Sequence, residues 1–155
     1  MRRSEKEIKN REDIIDVLNR CDVIRIGLNT PDHPYVLPMN FGFETDGDSL
    51  TIWMHCAAEG RKITLIEQNP RIGFEADCSH ILIADETACG FAMNYESVIG
   101  YGNICICNDG DSKVRGLKAI MRQYAPGKEF SFPESELTPV RILRLDVEGI
   151  TGKRS

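Results

Sequence analysis

Apolar and polar residues alternate with a period near two over much of the chain. Val23 to Leu28 (VIRIGL), Tyr35 to Glu44 (YVLPMNFGFE) and Leu50 to His55 (LTIWMH) read as strands. Arg71 to Asp77, Ile81 to Ile83, Ser97 to Cys107 and Val140 to Ile150 extend the series. In the last of these, Leu143, Leu145 and Val147 alternate with Arg144, Asp146 and Glu148. Helical periods are fewer. Ile14, Ile15, Leu18 and Cys21 recur at helical spacing. Ser4 and Glu7 have capping-box spacing, so a helix is predicted over Ser4 to Arg20, with Asn10 as a second start where it can break. A second helix carries Ile63, Leu65 and Ile66 inward and stops at Asn69-Pro70. A third, capped by Asp109 to Ser112, carries the stripe Val114, Leu117, Met121 and Tyr124 and ends at Pro126-Gly127. Ala88 to Tyr95 has neither period, and Phe130 to Pro139 reads as a loop.

Turn residues order these pieces. Asn29 to Asp32 is a turn, and Asp46-Gly47 is a strong hairpin signal. Pro38 inside its strand predicts an edge, a bulge or a gap in the ladder where a ligand approaches the backbone. Cys56 to Gly60 makes a bend. The sum is six or seven strands and three helices without regular alternation, which argues against a doubly wound sheet. The expected class is mainly β with α: an antiparallel, partly open barrel with flanking helices.

Composition narrows the partners. The chain of 155 residues suffices for one domain over 1–155 with a real core. Its 41% hydrophobic and 28% charged residues are ordinary for a globular protein. A net charge of -5 argues against general nucleic-acid binding. No apolar run reaches a membrane span, and the charged N-terminus lacks the apolar core of a signal peptide, so a cytoplasmic protein is expected. Cys21, Cys56, Cys78, Cys89, Cys105 and Cys107 form no C-x-x-C pair and read mostly as small buried apolar residues. Cys105 and Cys107 share a strand face. His80 with Cys78 and Cys89 has no standard zinc spacing, and no metal site is expected.

The candidate chemistry lies at the start of the second helix. Gly60 is the expected N-cap, and Arg61 and Lys62 fall in the first turn. Cations at the positive end of a helix dipole cost roughly 0.3–1 kcal/mol each. They make sense there if an anion binds, and phosphate is the usual guest of a helix N-terminus. The alternative is that both side chains simply point into solvent.

Four blocks carry a resemblance: PYVLPMNFGFE, HCAAEGRKITLIEQNPRIGFE, YESVIGYGNI and the closing strand into ITGKR. In order and spacing they resemble the flavin-binding split-barrel families typified by pyridoxamine 5′-phosphate oxidase. Within these, the branch of 5-nitroimidazole reductases, or nitroimidazole-resistance proteins, is most similar. The resemblance implies a homodimer with an FMN in each of two clefts at the subunit interface. Arg61 and Lys62, after Gly60, inherit the flavin phosphate. Val36, Leu37, Pro38, Met39 and Asn40 would run along the ring and ribityl chain. His55 and Cys56 would touch the cofactor, and Ser97 would reach it, with the partner subunit as one route. The oxidase's closing W-x-L-x-R-L-x-P pattern is absent, which puts oxidation of pyridoxamine phosphate in doubt. Related barrels bind deazaflavin F420 or haem, so these stand beside FMN as cofactors.

His55 is the expected catalytic residue, because imidazole titrates near neutrality and suits proton transfer; the plainer role is a hydrogen bond alone. Trp53, Phe41, Phe43 and Tyr95 could stack on a flavin, although core packing is the commoner use of such side chains. Asn40 needs a partner if it is buried. The leading function is therefore an FMN-dependent oxidoreductase acting on nitroimidazole, nitroaromatic or quinone-like small molecules. A non-catalytic flavin or haem binder and an F420-dependent reductase are the alternatives.

Overall fold

The computed structural model describes residues 4–155. Seven strands form one antiparallel path in the order β3-β2-β6-β7-β8-β5-β4, and a two-residue β1 pairs with β8. Their bounds are β1 Glu7–Ile8, β2 Ile24–Leu28, β3 Tyr35–Met39, β4 Phe41–Asp46, β5 Ser49–Ala57, β6 Arg71–Ile83, β7 Ala92–Cys107 and β8 Val140–Arg154. The helices are α1 Arg11–Arg20, α2 Arg61–Gln68, α3 Gly110–Tyr124 and α4 Glu134–Leu137. The path begins at β3 and ends at β4, yet only Asn40 separates these strands in the chain. A sheet whose two edges are consecutive strands must curl until the edges meet. Among the described residues β3 pairs only with β2 and β4 only with β5, so the barrel stays split at Asn40.

That split corrects the single strand expected over Tyr35 to Glu44. Asn40 is exposed at the break and so needs no protein partner. Pro38 does lie on an edge strand, where its missing N–H costs little. Ser4 to Arg20 is not one helix. A 3-10 turn covers Ser4–Lys6, and β1 follows because Ile8 is buried opposite Gly152. Helix α1 starts after Asn10, whose side chain accepts a hydrogen bond from the Glu12 amide. The two short runs from Arg71 and Ile81 are one strand, β6, with a bulge between Cys78 and Ile81. The segment Phe130 to Pro139 contains the short α4.

Two cores result. The larger fills the barrel: Ile24, Ile26, Ile52, Met54, Leu143 and Leu145 face inward, with Val17 and Leu18 of α1 and Leu65 and Ile66 of α2 against them. The smaller lies between the outer face of β5, β8 and β7 and helix α3, and joins Trp53, Cys107, Ala119, Ile120 and Ile142. Helix α3 is therefore turned so that Lys113, Gly116, Ala119 and Ile120 are buried, while of the stripe expected at Val114, Leu117, Met121 and Tyr124 it is Leu117 that packs, half-buried, against this core. Close approach decides this rotation. A Cβ on Gly42 would stand 2.2 Å from the Ala119 carbonyl oxygen, and one on Gly116 would meet Ile142 and Trp53. Trp53 and Phe41 are core residues, and Trp53 Nε1 donates to Glu44 Oε2 at 3.1 Å. No helix among the described residues is long and apolar enough to cross a membrane.

Candidate functional site

Helix α2 starts beside the split. Its N-cap, Gly60, has φ 135° and ψ 166°, a region open almost only to glycine, and a Cβ there would meet nothing within 4 Å. Gly60 offers no side-chain cap, and the first turn contains no acid. The leading amides of a helix have no intrahelical acceptor. Arg61 and Lys62 thus add two cations to an end that already carries partial positive charge.

Both side chains reach the β3 edge of the split. The Arg61 guanidinium stacks 4.7 Å from the Tyr35 ring centre on β3. Lys62 Nζ lies 3.7 Å from Met39 Sδ, a weak acceptor. Among the described residues no carboxylate pairs with either cation. Across the split, at the end of β5, stand His55 and Cys56. Burial, then the charge of Lys62, lowers the His55 pKa, which favours the neutral imidazole. Burial raises the Cys56 thiol, while Lys62 and Arg141 oppose that rise.

The structure therefore brings Met39, Gly60, Arg61 and Lys62 together and puts His55 and Cys56 within range of the Lys62 charge, Cys56 buried in the barrel core and His55 exposed on the other face of β5. Leu37 and Met39 are buried on the inner side of β3, whereas Val36, Pro38 and Asn40 alternate to the outside. Ser97 does not join them within one chain. It is buried opposite Lys153 and Asp77. It lies ten residues along β7 from Cys107, the residue across Ile142 from His55, or roughly 30 Å of extended strand. Two neighbours escaped the sequence reading. Tyr35 was legible only as a strand start. Arg141 stands opposite Cys56 through the β5–β8 register, a pairing no local pattern encodes.

Several other candidates have structural roles or stand alone. His33 is in a turn, where its amide donates to Thr30 Oγ1 at 3.1 Å. His80 contacts Asp77 at 2.5 Å on the surface. Among the described residues no group of three or more His, Cys, Asp or Glu is placed to hold a metal ion. Cys21, Cys56, Cys78 and Cys107 are buried, as expected for most of the cysteines, whereas Cys89 and Cys105 are exposed.

A phosphate fits this corner on the structure's own terms. It offers the Arg61 and Lys62 amides of the first turn, two cations that no carboxylate of the described residues pairs, open space at Gly60 and a third cation, Arg141, nearby. A family model described as pyridoxamine 5′-phosphate oxidase matches residues 10–154. The chain belongs to this family.

Solved structures agree with that membership and with the antiparallel split barrel. A candidate 5-nitroimidazole antibiotic resistance protein from Bacteroides thetaiotaomicron VPI-5482 is 28% identical, with TM-score 0.82 over 96% of this chain and 86% of its own. A flavocytochrome from Azotobacter vinelandii shares the fold at 19% identity, with TM-score 0.80 over 100% of this chain and 72% of its own. An FAD- and haem-binding protein from Mycobacterium smegmatis does so at 18% identity, with TM-score 0.81 over 97% and 73%. No curated protein matches the sequence.

Proposed function

We propose that the chain is an FMN-dependent oxidoreductase that reduces nitroimidazole, nitroaromatic or quinone-like acceptors. The observation that carries this reading is the uncapped N-terminus of α2, with Arg61 and Lys62 unpaired by any carboxylate of the described residues. Arg61, Lys62 and the first amides of α2 hold the flavin phosphate, and Gly60 leaves room for it. Val36, Leu37, Pro38, Met39 and Asn40 line the ring and ribityl chain, with His55 and Cys56 across the split. When bound, FMN supplies the electron chemistry, and the protein binds and orients it. His55, neutral at rest, would take up a proton at its free ring nitrogen and as the imidazolium pass it to the acceptor molecule. The 28% identical resistance protein supports the choice of acceptor class.

The site is completed by a second copy of the chain. Val36, Ile99 and Tyr101 stand 61%, 59% and 54% exposed on the outer face of the sheet. Gly27 and Gly73 lie between Val36 and Tyr101 in register, so a partner can approach the backbone closely. An apolar face of this kind is an interface in waiting. Ser97, remote from Arg61 in its own chain, then reaches the cofactor of the partner.

The test is purification without added cofactor, identification of the released small molecule by mass spectrometry, and anaerobic reduction by NAD(P)H followed by nitroimidazole and quinone acceptors. FMN released from a dimer, bleached by NAD(P)H and reoxidised by the acceptors, is the expected result. Haem or F420 in its place would refute the cofactor assignment. Bound FMN that no reductant bleaches would refute the enzyme.

A further inference from the structure

We propose that Cys105 and Cys107 form a peroxide-sensitive dithiol that closes reversibly into an intramolecular disulfide. Both lie on β7, two residues apart on its outer face, with the sulfurs 4.0 Å from one another. Their exposures differ in the sense such a pair requires. Cys105 is open to solvent, whereas Cys107 is buried in the smaller core beneath α3. Oxidation-sensing cysteines are typically an accessible sulfur with a second one poised beside it.

The surroundings complete the cluster. Arg144 on β8 stands opposite Cys105, and its Nε is buried without a hydrogen-bond partner. Its Nη2 donates to Asp146 at 2.9 Å. Its charge acts on both sulfurs, so a donor is available to an anionic sulfur species. Burial, then Cys105, pushes the Cys107 thiol up to about 11, with Arg144 opposing, and it therefore rests as the thiol. Another pair of sulfurs, Cys21 and Cys78, is in contact. Cys21 and Cys78 are both buried away from an oxidant, and burial raises the Cys21 thiol strongly. Cys89 is exposed with no cysteine sulfur in hydrogen-bonding contact.

The oxidant is a hydroperoxide. The Cys105 sulfur attacks its terminal oxygen, an S–O bond forms as the O–O bond breaks, and alcohol or water leaves. The Cys107 sulfur then attacks Cys105 Sγ. The S–S bond forms, the S–O bond breaks, and the hydroxyl departs with the Cys107 proton as water. Two thiols lose two electrons and the peroxide gains them. Strand residues two apart sit roughly 6.4–6.8 Å from Cα to Cα, at the upper limit for a disulfide. The closed form therefore strains β7 just before α3, and strained disulfides are the readily reduced ones.

The experiment uses the full reduced chain treated with hydrogen peroxide, then alkylated and mapped by mass spectrometry. The expected product has lost two hydrogens through a Cys105–Cys107 link, and dithiothreitol restores the starting mass. In Cys107→Ala the same treatment stops at a sulfenic acid on Cys105, trapped by dimedone. Three results would overturn the proposal: a link that uses Cys89 or Cys78, a sulfenic or sulfinic acid that persists on Cys105 of the parent, or no change at Cys105 while Cys89 oxidises. The parent measurement decides the matter even if Cys107→Ala fails to fold.

Discussion

Helices α2 and α3 each follow a long strand, β5 and β7, yet their first turns are opposites. At α3 the Asp109 carboxylate accepts from the Ser112 amide at 2.8 Å, and Asp111 follows in the first turn. The negative charges match the helix dipole, and the end is self-sufficient. Helix α1 follows the same rule, with Asn10 as cap and Glu12 and Asp13 in its first turn. At α2 a glycine replaces the cap and two cations replace the acids. Short α4 has no side-chain cap at Pro133 but still carries Glu134 and Glu136 in its first turn, so among the described helices α2 departs from an internal norm in the charge of its first turn. Departures of this kind mark functional or strained sites, in keeping with the phosphate proposed there.

The comparison breaks most forcefully if α2 is given the chemistry of α3. Arg61→Glu with Lys62→Glu removes two charge-assisted contacts and adds repulsion, and FMN affinity should fall by at least about a hundred-fold. Thermal stability of the cofactor-free chain should hold or rise, because acids now sit at the positive end of the dipole. Titration calorimetry and melting curves check the two halves.

Gly60→Ala tests the geometry rather than the charge. With nothing within 4 Å of the added methyl, its cost is the backbone conformation alone, about 1–3 kcal/mol in chemical denaturation. Asn10→Ala at the ordinary end should cost about 1 kcal/mol and leave FMN affinity unchanged. A smaller effect concerns His55. Lys62→Met removes one of the two causes that lower its pKa, so an NMR titration should show the imidazole pKa rising towards its ordinary value. The lowered pKa gives stability that is complete above the unfolded-state pKa and is lost as pH falls through the folded value. That acid-side loss should shrink in Lys62→Met.

The same contrast explains what the sequence could reveal. Gly60-Arg61-Lys62 was legible because a cap rule was broken locally, and Asn10, Asp109 and the Asp46-Gly47 hairpin because cap and turn chemistry were obeyed locally. Period-two runs located the strands, but not the break at Asn40. Separating β3 from β4 requires knowing that they pair at opposite edges of the sheet. The face of α3 was misread for a related reason. Val114, Leu117, Met121 and Tyr124 make a good apolar stripe, but the helix is rotated by the space above Gly42 and by Gly116, contacts that exist only after folding. Arg141 near Cys56 and Arg144 beside the Cys105–Cys107 pair follow from the register of β8, which no single-chain pattern specifies. Ser97 was named through family resemblance alone, and the role proposed for it needs a second subunit.

The central claim is that the N-terminus of α2 holds a phosphate, and the most direct measurement compares two flavins that differ only there. FMN and riboflavin are titrated into the cofactor-free parent, Arg61→Ala and Lys62→Ala. Each substitution should weaken FMN binding about ten- to a hundred-fold, the worth of a charge-assisted hydrogen bond, and leave riboflavin binding nearly unchanged. Equal losses for both flavins, or no loss for either, would contradict the account.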